Sequence, residues 1–369
     1  MIEEVYLYEV WMRLKTPFET SFGRTIERPA ILVRLVGDGV EGWGEVVAGE
    51  GPWYSYETYI TAMHILKDYL VPLLLKNGIE DPHTFIERAS SIRGHNMAKA
   101  GLEHALWDLE ARRRKTPLWR LLGGTNKHVQ SGVSIGIKGT LQELIDTVQG
   151  YLEQGYKRIK IKIKHGWDIE PVKALRRELG EDLPLQVDAN AAYTLEDLGT
   201  LKKLDEYDLT MIEQPLHYED LLDHSTLARL LRTPICLDES ITSLKRAIEA
   251  YKLDSAHIIN LKPGRVGGHT VSLKIHEFWT KSAGRPLWIG GMLETGIGRG
   301  HLVALATLPG VKYPNDISGS DRYYEEDIVD PVWIVRNGVI EAPERPGIGV
   351  EPRIDLIEKL SKRIIRMTA

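Results

Sequence analysis

The sequence predicts an α/β protein: a (β/α)8-type barrel of about eight parallel strands, preceded by a smaller α+β segment. Three observations carry this. From about Val129 onward, short apolar strands alternate with amphipathic helical patterns, which implies a parallel sheet. Before that point strands come first and helices after, as in an α+β unit. The third is a ladder of charged residues at strand ends. Lys162, Asp188, Glu213, Asp238 and Lys262 follow one another at intervals of 26, 25, 25 and 24 residues, one strand-helix unit each time.

In chain order, "MIEEVYLYEVWMRL", "PAILVRLVGDG" and "GVEGWGEVV" read as strands, with a Gly-Asp-Gly turn between the last two. "SYETYITAMHILKDYLVPLLL" has apolar residues at helical spacing with Ser55 as its cap, and "MAKAGLEHALWDLEARRR" is a second long helix. The barrel strands are "SGVSIGI", "RIKIKI", "LPLQVDA", "LTMIEQP", "TPICLDE", "AHIINLK" and "RPLWIGG", with a weaker eighth around "GVKYPND". Near the C-terminus "WIVRNGVIEAP" reads as a hairpin.

Composition narrows the function. A chain of 369 residues with 43% hydrophobic content is long enough for one large domain with a smaller companion. Its net charge of -5, with lysine and arginine dispersed, leaves no footprint for nucleic acid or an anionic membrane surface. No window approaches the roughly 18 uninterrupted apolar residues of a membrane span. The first residues are acidic where a secretory signal is basic, so a cytoplasmic protein is expected. The lone cysteine, Cys236, excludes an internal disulfide, lies in an apolar strand and fits a reducing compartment. Small-molecule chemistry is the expectation that remains.

The stretch "RIKIKIK", Arg158 to Lys164, puts lysines on one face of a strand and isoleucines on the other. On a sheet edge such lysines guard against aggregation. In a barrel the isoleucines pack outward on the helices, while Lys160 and Lys162 point inward at three carboxylates, on the face where barrel enzymes build their sites. Carboxylates without a histidine or cysteine set suit a hard divalent cation, Mg²⁺ above all. A plain salt-bridge network explains one such strand-end acid, but poorly explains five charges in register. Two lysines flanking a cation suggest removal of a proton next to a carboxylate, the cation stabilising the enediolate that forms. Lys160 and the cation's charge are expected to lower the pKa of Lys162. Lys164, one step nearer the loop, reads as solvated.

These residues carry a family resemblance: "KIK" at 160 to 162, "VDAN" at 187 to 190, "IEQP" at 212 to 215, "LDES" at 237 to 240, "NLKPGRVGG" at 260 to 268 and "GGMLETGIGR" at 290 to 299. Together they resemble the enolase superfamily, muconate-lactonizing subgroup. Within it the pattern is most similar to N-succinylamino acid racemases and o-succinylbenzoate synthases, including "TPFETSFG" and "GHNMAKAGLEHALWDLEA". The resemblance runs over essentially the whole chain. It implies a modified (β/α)7β barrel over residues 126–320, an α+β capping domain over 1–125, and a segment 321–369 that returns to the cap.

The resemblance also implies roles. Asp188, Glu213 and Asp238 fall on the metal ligands, Lys162 and Lys262 on the two acid/base lysines, and Lys160 on the supporting member of the first pair. Asn190 and Glu239 would orient these groups by hydrogen bonds. Arg265 resembles a position that accompanies racemase activity and would tune Lys262 by like charge. Residues 17–24 and the loop "AGEGPWYS" resemble segments that close over substrate, with Phe18, Phe22, Trp53 and Ser134 as contacts. The backbone at Gly290, Gly291 and Met292 would receive a succinyl end.

Expected cofactors are Mg²⁺, or Mn²⁺ or Co²⁺ in its place; the expected partners are a small-molecule carboxylate and further copies of the chain as a homo-oligomer. Racemisation of N-succinylamino acids and formation of o-succinylbenzoate are the favoured reactions, with muconate cycloisomerisation and dipeptide epimerisation as alternatives. A dinucleotide site is argued against, because "GRVGGH" and "GIGRGH" lack the G-x-G-x-x-G order after a first strand.

Overall fold

The computed structural model describes all 369 residues. In chain order its strands are β1 (Ile2–Thr20), β2 (Gly23–Gly37), β3 (Val40–Val46), β4 (His128–Gln130), β5 (Val133–Ile135), β6 (Ile159–Lys162), β7 (Leu185–Asp188), β8 (Ile212–Glu213), β9 (Ile235–Leu237), β10 (Ile258–Leu261), β11 (Leu287–Ile289), β12 (Val329–Asp330), β13 (Val339–Glu341), β14 (Glu351–Pro352) and β15 (Ser361–Thr368). They form an antiparallel sheet ordered β15-β1-β2-β3 and a seven-stranded sheet running in sequence from β5 to β11, in which each adjacent pair is parallel.

The weak eighth strand closes the barrel with single bridges. Val311 bridges Leu287 and Asn315 bridges Ser131, both in parallel, and backbone bonds from Lys312 to Leu287 (3.0 Å) and from Gly132 to Asn315 (2.7 Å) complete the ring. The alternation in "RIKIKIK" is resolved as expected: Ile159, Ile161 and Ile163 lie in the barrel's apolar core, while Lys160 and Lys162 line the cavity at its mouth. No helix is long and apolar enough to cross a membrane.

The cap rests on helix Asn96–Arg113, which is covered on both sides and therefore has almost no exposed stripe. Glycines allow that closeness. A Cβ on Gly44 would stand 2.1 Å from the Gly101 carbonyl, and one on Gly42 would stand 2.2 Å from that of Ala105. Buried acids from the cap then cap barrel helices. Glu103 accepts from the backbone N–H groups of His269 (2.8 Å) and Thr270 (2.7 Å), where the preceding residue, Gly268, has no side chain to do so. Glu45 accepts from the N–H groups of Thr295 (3.1 Å) and Gly298 (3.0 Å) in the same way.

Two local expectations are corrected. Ser55 does not cap the first helix; Thr58 does, in a reciprocal pair with Thr61, and the helix starts at Tyr59. The bond from Tyr59 N–H to the Gly49 carbonyl (2.9 Å) holds the chain out as a loop until that point. "WIVRNGVIEAP" is not a strand hairpin. Only Arg336 and Val339 bridge around the Asn337-Gly338 turn, because β13 pairs instead with β4. Within the last segment it is β15 that joins the cap sheet, along β1.

Candidate active site

Parallel register puts the ladder on one rim: Lys162 lies beside Asp188, and Asp188 beside Glu213, across β6, β7 and β8. Asp238 and Lys262 each follow the last residue of their strand. The chain turns sharply there. Asn190, Ala191 and Gln214 adopt left-handed backbone (φ 44°, 61° and 36°), a cost of a kind that concentrates at functional sites.

Each of the five charges is paired within the rim. Lys162 Nζ donates to Asp188 (2.6 Å) and to Asn190 Oδ1 (2.8 Å), and Asn190 Nδ2 donates to Glu239 (3.0 Å). Lys160 Nζ donates to Glu213 (2.9 Å) and pairs with Asp316 (2.5 Å), which also takes Arg158 (2.6 Å). On the other side Lys262 Nζ donates to Asp238 (2.7 Å), and Arg265 donates to the other oxygen of Asp238. Arg265 is buried rather than an exposed loop residue.

Electrostatics show which acids are short of positive charge. Burial, then the charges of Asp188 and Asp238, push Glu213 up to about 7; burial and Asp238 push Glu239 up to about 8. Burial also opposes the charge of Asp238, but Lys262 and Arg265 outweigh it and hold this group at about 2. Lys262 is held above its ordinary value: burial opposes its charge, but Asp238 prevails. Lys160 is likewise held well above its ordinary value, with Asp316 the chief support against burial. It stays a cation.

A divalent cation fits this donor set. The acids are all oxygen donors, and Glu239 Oε2 is buried with no hydrogen-bond partner. In the present arrangement no three acidic side chains are grouped to hold an ion, since ammonium and guanidinium groups occupy their oxygens.

Above the rim lies a cavity of about 920 Å³ whose walls include Lys160, Lys162, Lys262, Asn190 and Ser134 from the barrel and Phe18, Phe22, Trp53 and Tyr54 from the cap. Gly291 and Met292 line it too. Gly290 does not; its N–H donates to the Leu261 carbonyl (3.1 Å). The Met292 N–H is also engaged, by Glu294 (2.8 Å), so of these three backbone donors only that of Gly291 is free. Glu239 and Arg265 stand behind the wall, touching the residues that form it. Lys164 is partly exposed and pairs with Glu19 (3.2 Å) at the cap's edge.

Several participants lie outside the candidates named from the sequence, though most follow from its pattern. Asp316 is reachable by it: 54 residues past Lys262, two further strand-helix units on. Gln186 and Asn260 sit two residues before Asp188 and Lys262, hence on the same face, and donate to Glu213 at 2.6 and 2.7 Å. Tyr54 has no such signal. It comes from the cap loop, and its hydroxyl lies 3.2 Å from Lys262 Nζ, 3.1 Å from Arg265 Nη1 and 3.3 Å from Asp238.

A barrel with acids and lysines on one rim under a cap defines a class, and comparison with known families agrees. Residues 2–123 match the mandelate racemase/muconate lactonizing enzyme N-terminal domain and residues 143–356 the enolase C-terminal domain-like family; the chain belongs to the enolase superfamily. Enzymes of this superfamily use a divalent metal. Among relatives, an o-succinylbenzoate synthase of Geobacillus kaustophilus is 50% identical, covering 95% of this chain and 93% of its own. An N-succinylamino acid racemase of Thermus thermophilus is 46% identical, covering 98% and 97%. The crystal structure of an enolase superfamily member from Listeria innocua superposes with a TM-score of 0.95 at 39% identity, covering 100% of this chain and 99% of that one.

Proposed function

We propose that this chain is an N-succinylamino acid racemase that also forms o-succinylbenzoate in the same site. The observation that carries the reading is a pair of lysines on one cavity, Lys162 on β6 and Lys262 after β10, with three strands between them and each anchored to a different carboxylate. Racemisation needs a proton acceptor on one face of the α-carbon and a donor on the other. Lys262, held as a cation by Asp238, is set to donate while Lys162 accepts, and the roles exchange for the other enantiomer. Elimination of water in the synthase reaction needs one base alone, and the Lys262 ammonium then contributes its charge to the developing anion.

Asp188, Glu213 and Asp238 would hold the cation, Mg²⁺ by their hard oxygen chemistry, with Mn²⁺ or Co²⁺ as substitutes. When bound it supplies positive charge to the substrate carboxylate as the α-proton leaves. Lys160, fixed by Asp316 and by the Trp288 ring (4.9 Å to its centroid), keeps a second positive charge beside Lys162. Phe18 and Tyr54 line the cavity beside the lysines, and Phe22 and Trp53, exposed at its edge, would close over a bound substrate to exclude water. Against a dipeptide substrate stands Asp316, an acid on the cavity whose two oxygens are taken by Lys160 and Arg158 and are unavailable to a substrate ammonium. The setting we propose is cytoplasmic, with copies of the chain assembled as a homo-oligomer.

The test is exchange in D₂O with Mg²⁺ and N-succinyl-L-phenylalanine, followed by NMR and polarimetry. Deuterium at the α-carbon with loss of rotation is the expected result. Exchange without loss of rotation removes the racemase reading and leaves the synthase; no exchange removes the racemase reading, and dehydration of the cyclohexadiene carboxylate precursor then decides the synthase.

A further inference from the structure

One cation on the cavity is not used by the chemistry at the barrel rim. Arg28, on β2, lines the cavity and is only 4% exposed. Its Nη1 lies 2.7 Å from Glu45 Oε1 but off the line of a hydrogen bond, and neither Nη1 nor Nη2 has a hydrogen-bond partner. Glu45 Oε1 is its buried ion-pair partner, while the other oxygen of Glu45 and the carboxylate of Glu294 serve other donors. Glu45 receives the Thr295 N–H and hydroxyl and the Gly298 N–H, and Glu294 receives the Met292 N–H. Guanidinium N–H groups at this depth do not stay unpaired, and the open volume that Arg28 borders is the cavity.

The other lining cations are accounted for. Lys160, Lys162 and Lys262 are held by carboxylates, and Arg13 and Arg24 are exposed at the cavity's edge. Of the backbone donors at 290–292, Gly291 alone remains free. A second carboxylate entering this cavity has one buried cation with donors to spare.

We propose that Arg28 determines specificity by receiving the distal carboxylate of a succinyl-bearing substrate. The inference rests on the function proposed above and names the group that recognises the acid arm. N-succinylamino acids and the precursor of o-succinylbenzoate share that four-carbon arm, so one arginine serves both reactions. A planar fork suits a carboxylate, which accepts two parallel N–H bonds.

The experiment compares racemisation of N-succinyl-L-phenylalanine with that of N-acetyl-L-phenylalanine, which lacks the distal charge, in wild type, Arg28→Met and Arg28→Lys, with thermal melts on each. In Arg28→Met the ratio of kcat/KM for the succinyl over the acetyl substrate is expected to fall about ten- to a hundredfold, mostly through KM. Arg28→Lys keeps a positive charge beside Glu45, which protects the fold, and should show an intermediate fall in the same ratio. A ratio unchanged in both variants overturns the proposal and leaves Arg28 a tie to Glu45. If the wild type racemises neither compound, the proposed function itself fails and the assignment falls with it.

Discussion

Two buried polar clusters in this molecule solve the same problem in opposite ways. At the barrel rim, Asp188, Glu213 and Asp238 stay buried beside Lys160, Lys162, Lys262 and Arg265, so charge is offset by charge. At the seam between cap and barrel, His104 from the cap helix stacks on His301 (centroids 4.5 Å apart) and lies 4.4 Å from His269. All three are driven below the ordinary histidine value, chiefly by burial, and there is no carboxylate bonded to any ring. Their bonds fix neutral tautomers: His269 Nε2–H donates to His301 Nδ1 (3.0 Å), and His301 Nε2–H donates to the Trp43 carbonyl (2.8 Å). The rim keeps its charges because chemistry needs them; the seam discards its own because packing does not.

Removing a charge from the rim should therefore be costly to activity first. Lys162→Ala and Lys262→Ala are each expected to lower racemisation about a thousandfold or more, since each removes one of the two proposed proton carriers. Cation binding by calorimetry should persist in both. Near-normal turnover in either would break the two-lysine assignment. Asp238→Asn is the complementary change: it should weaken cation binding at least about tenfold, because a neutral amide is a poorer partner for a hard ion. An unaltered affinity in a titration would remove Asp238 from the ligand set.

Much of the rim was legible in the sequence because barrel geometry repeats. The intervals between Lys162 and Lys262 report one strand-helix unit each, and period two then assigns Lys160 to the same face. The seam was not legible. His104, His269 and His301 are 165 and 32 residues apart in the chain, and nothing in that spacing brings them together. Tyr54 shares this limitation, since it acquires its partners only when the cap docks. Ser55 and Thr58 show it on a small scale: both are capping types, and a bridge between Gly49 and Thr58 selects the second.

The seam predicts an acid-sensitive fold. A histidine whose folded pKa lies below its unfolded value near 6.5 contributes stability that is lost as pH falls through that value. His104→Phe keeps a stacked ring and removes one titrating group, together with two buried nitrogens that have no partner. Its slope of stability against pH, measured by urea titration between pH 5 and 6.5, should be shallower than wild type by up to about 1.4 kcal/mol per pH unit. Equal slopes would show that the cluster is not held neutral.

Glu103 gives the most discriminating effect, because it works against the histidines from the same helix. Burial pushes it up to about 7 despite donors from Trp107, His269 and Thr270. An acid raised this far contributes stability that is complete below its unfolded value of 4.5 and lost as pH rises through 7. Between pH 4.5 and 6.5 the two trends oppose, so wild type loses less stability on acidification than the three histidines alone would cause. Glu103→Gln cannot titrate, so its loss of stability toward neutral pH, about 3 kcal/mol at most by the size of the shift, should vanish while its loss on acidification becomes steeper. Its absolute stability should also be lower, because an amide nitrogen at either position faces an N–H donor of the barrel helix or the Trp107 ring. A variant whose profile merely drops, without changing shape, would mean that Glu103 is ionised throughout this range and that the seam, like the rim, carries charge.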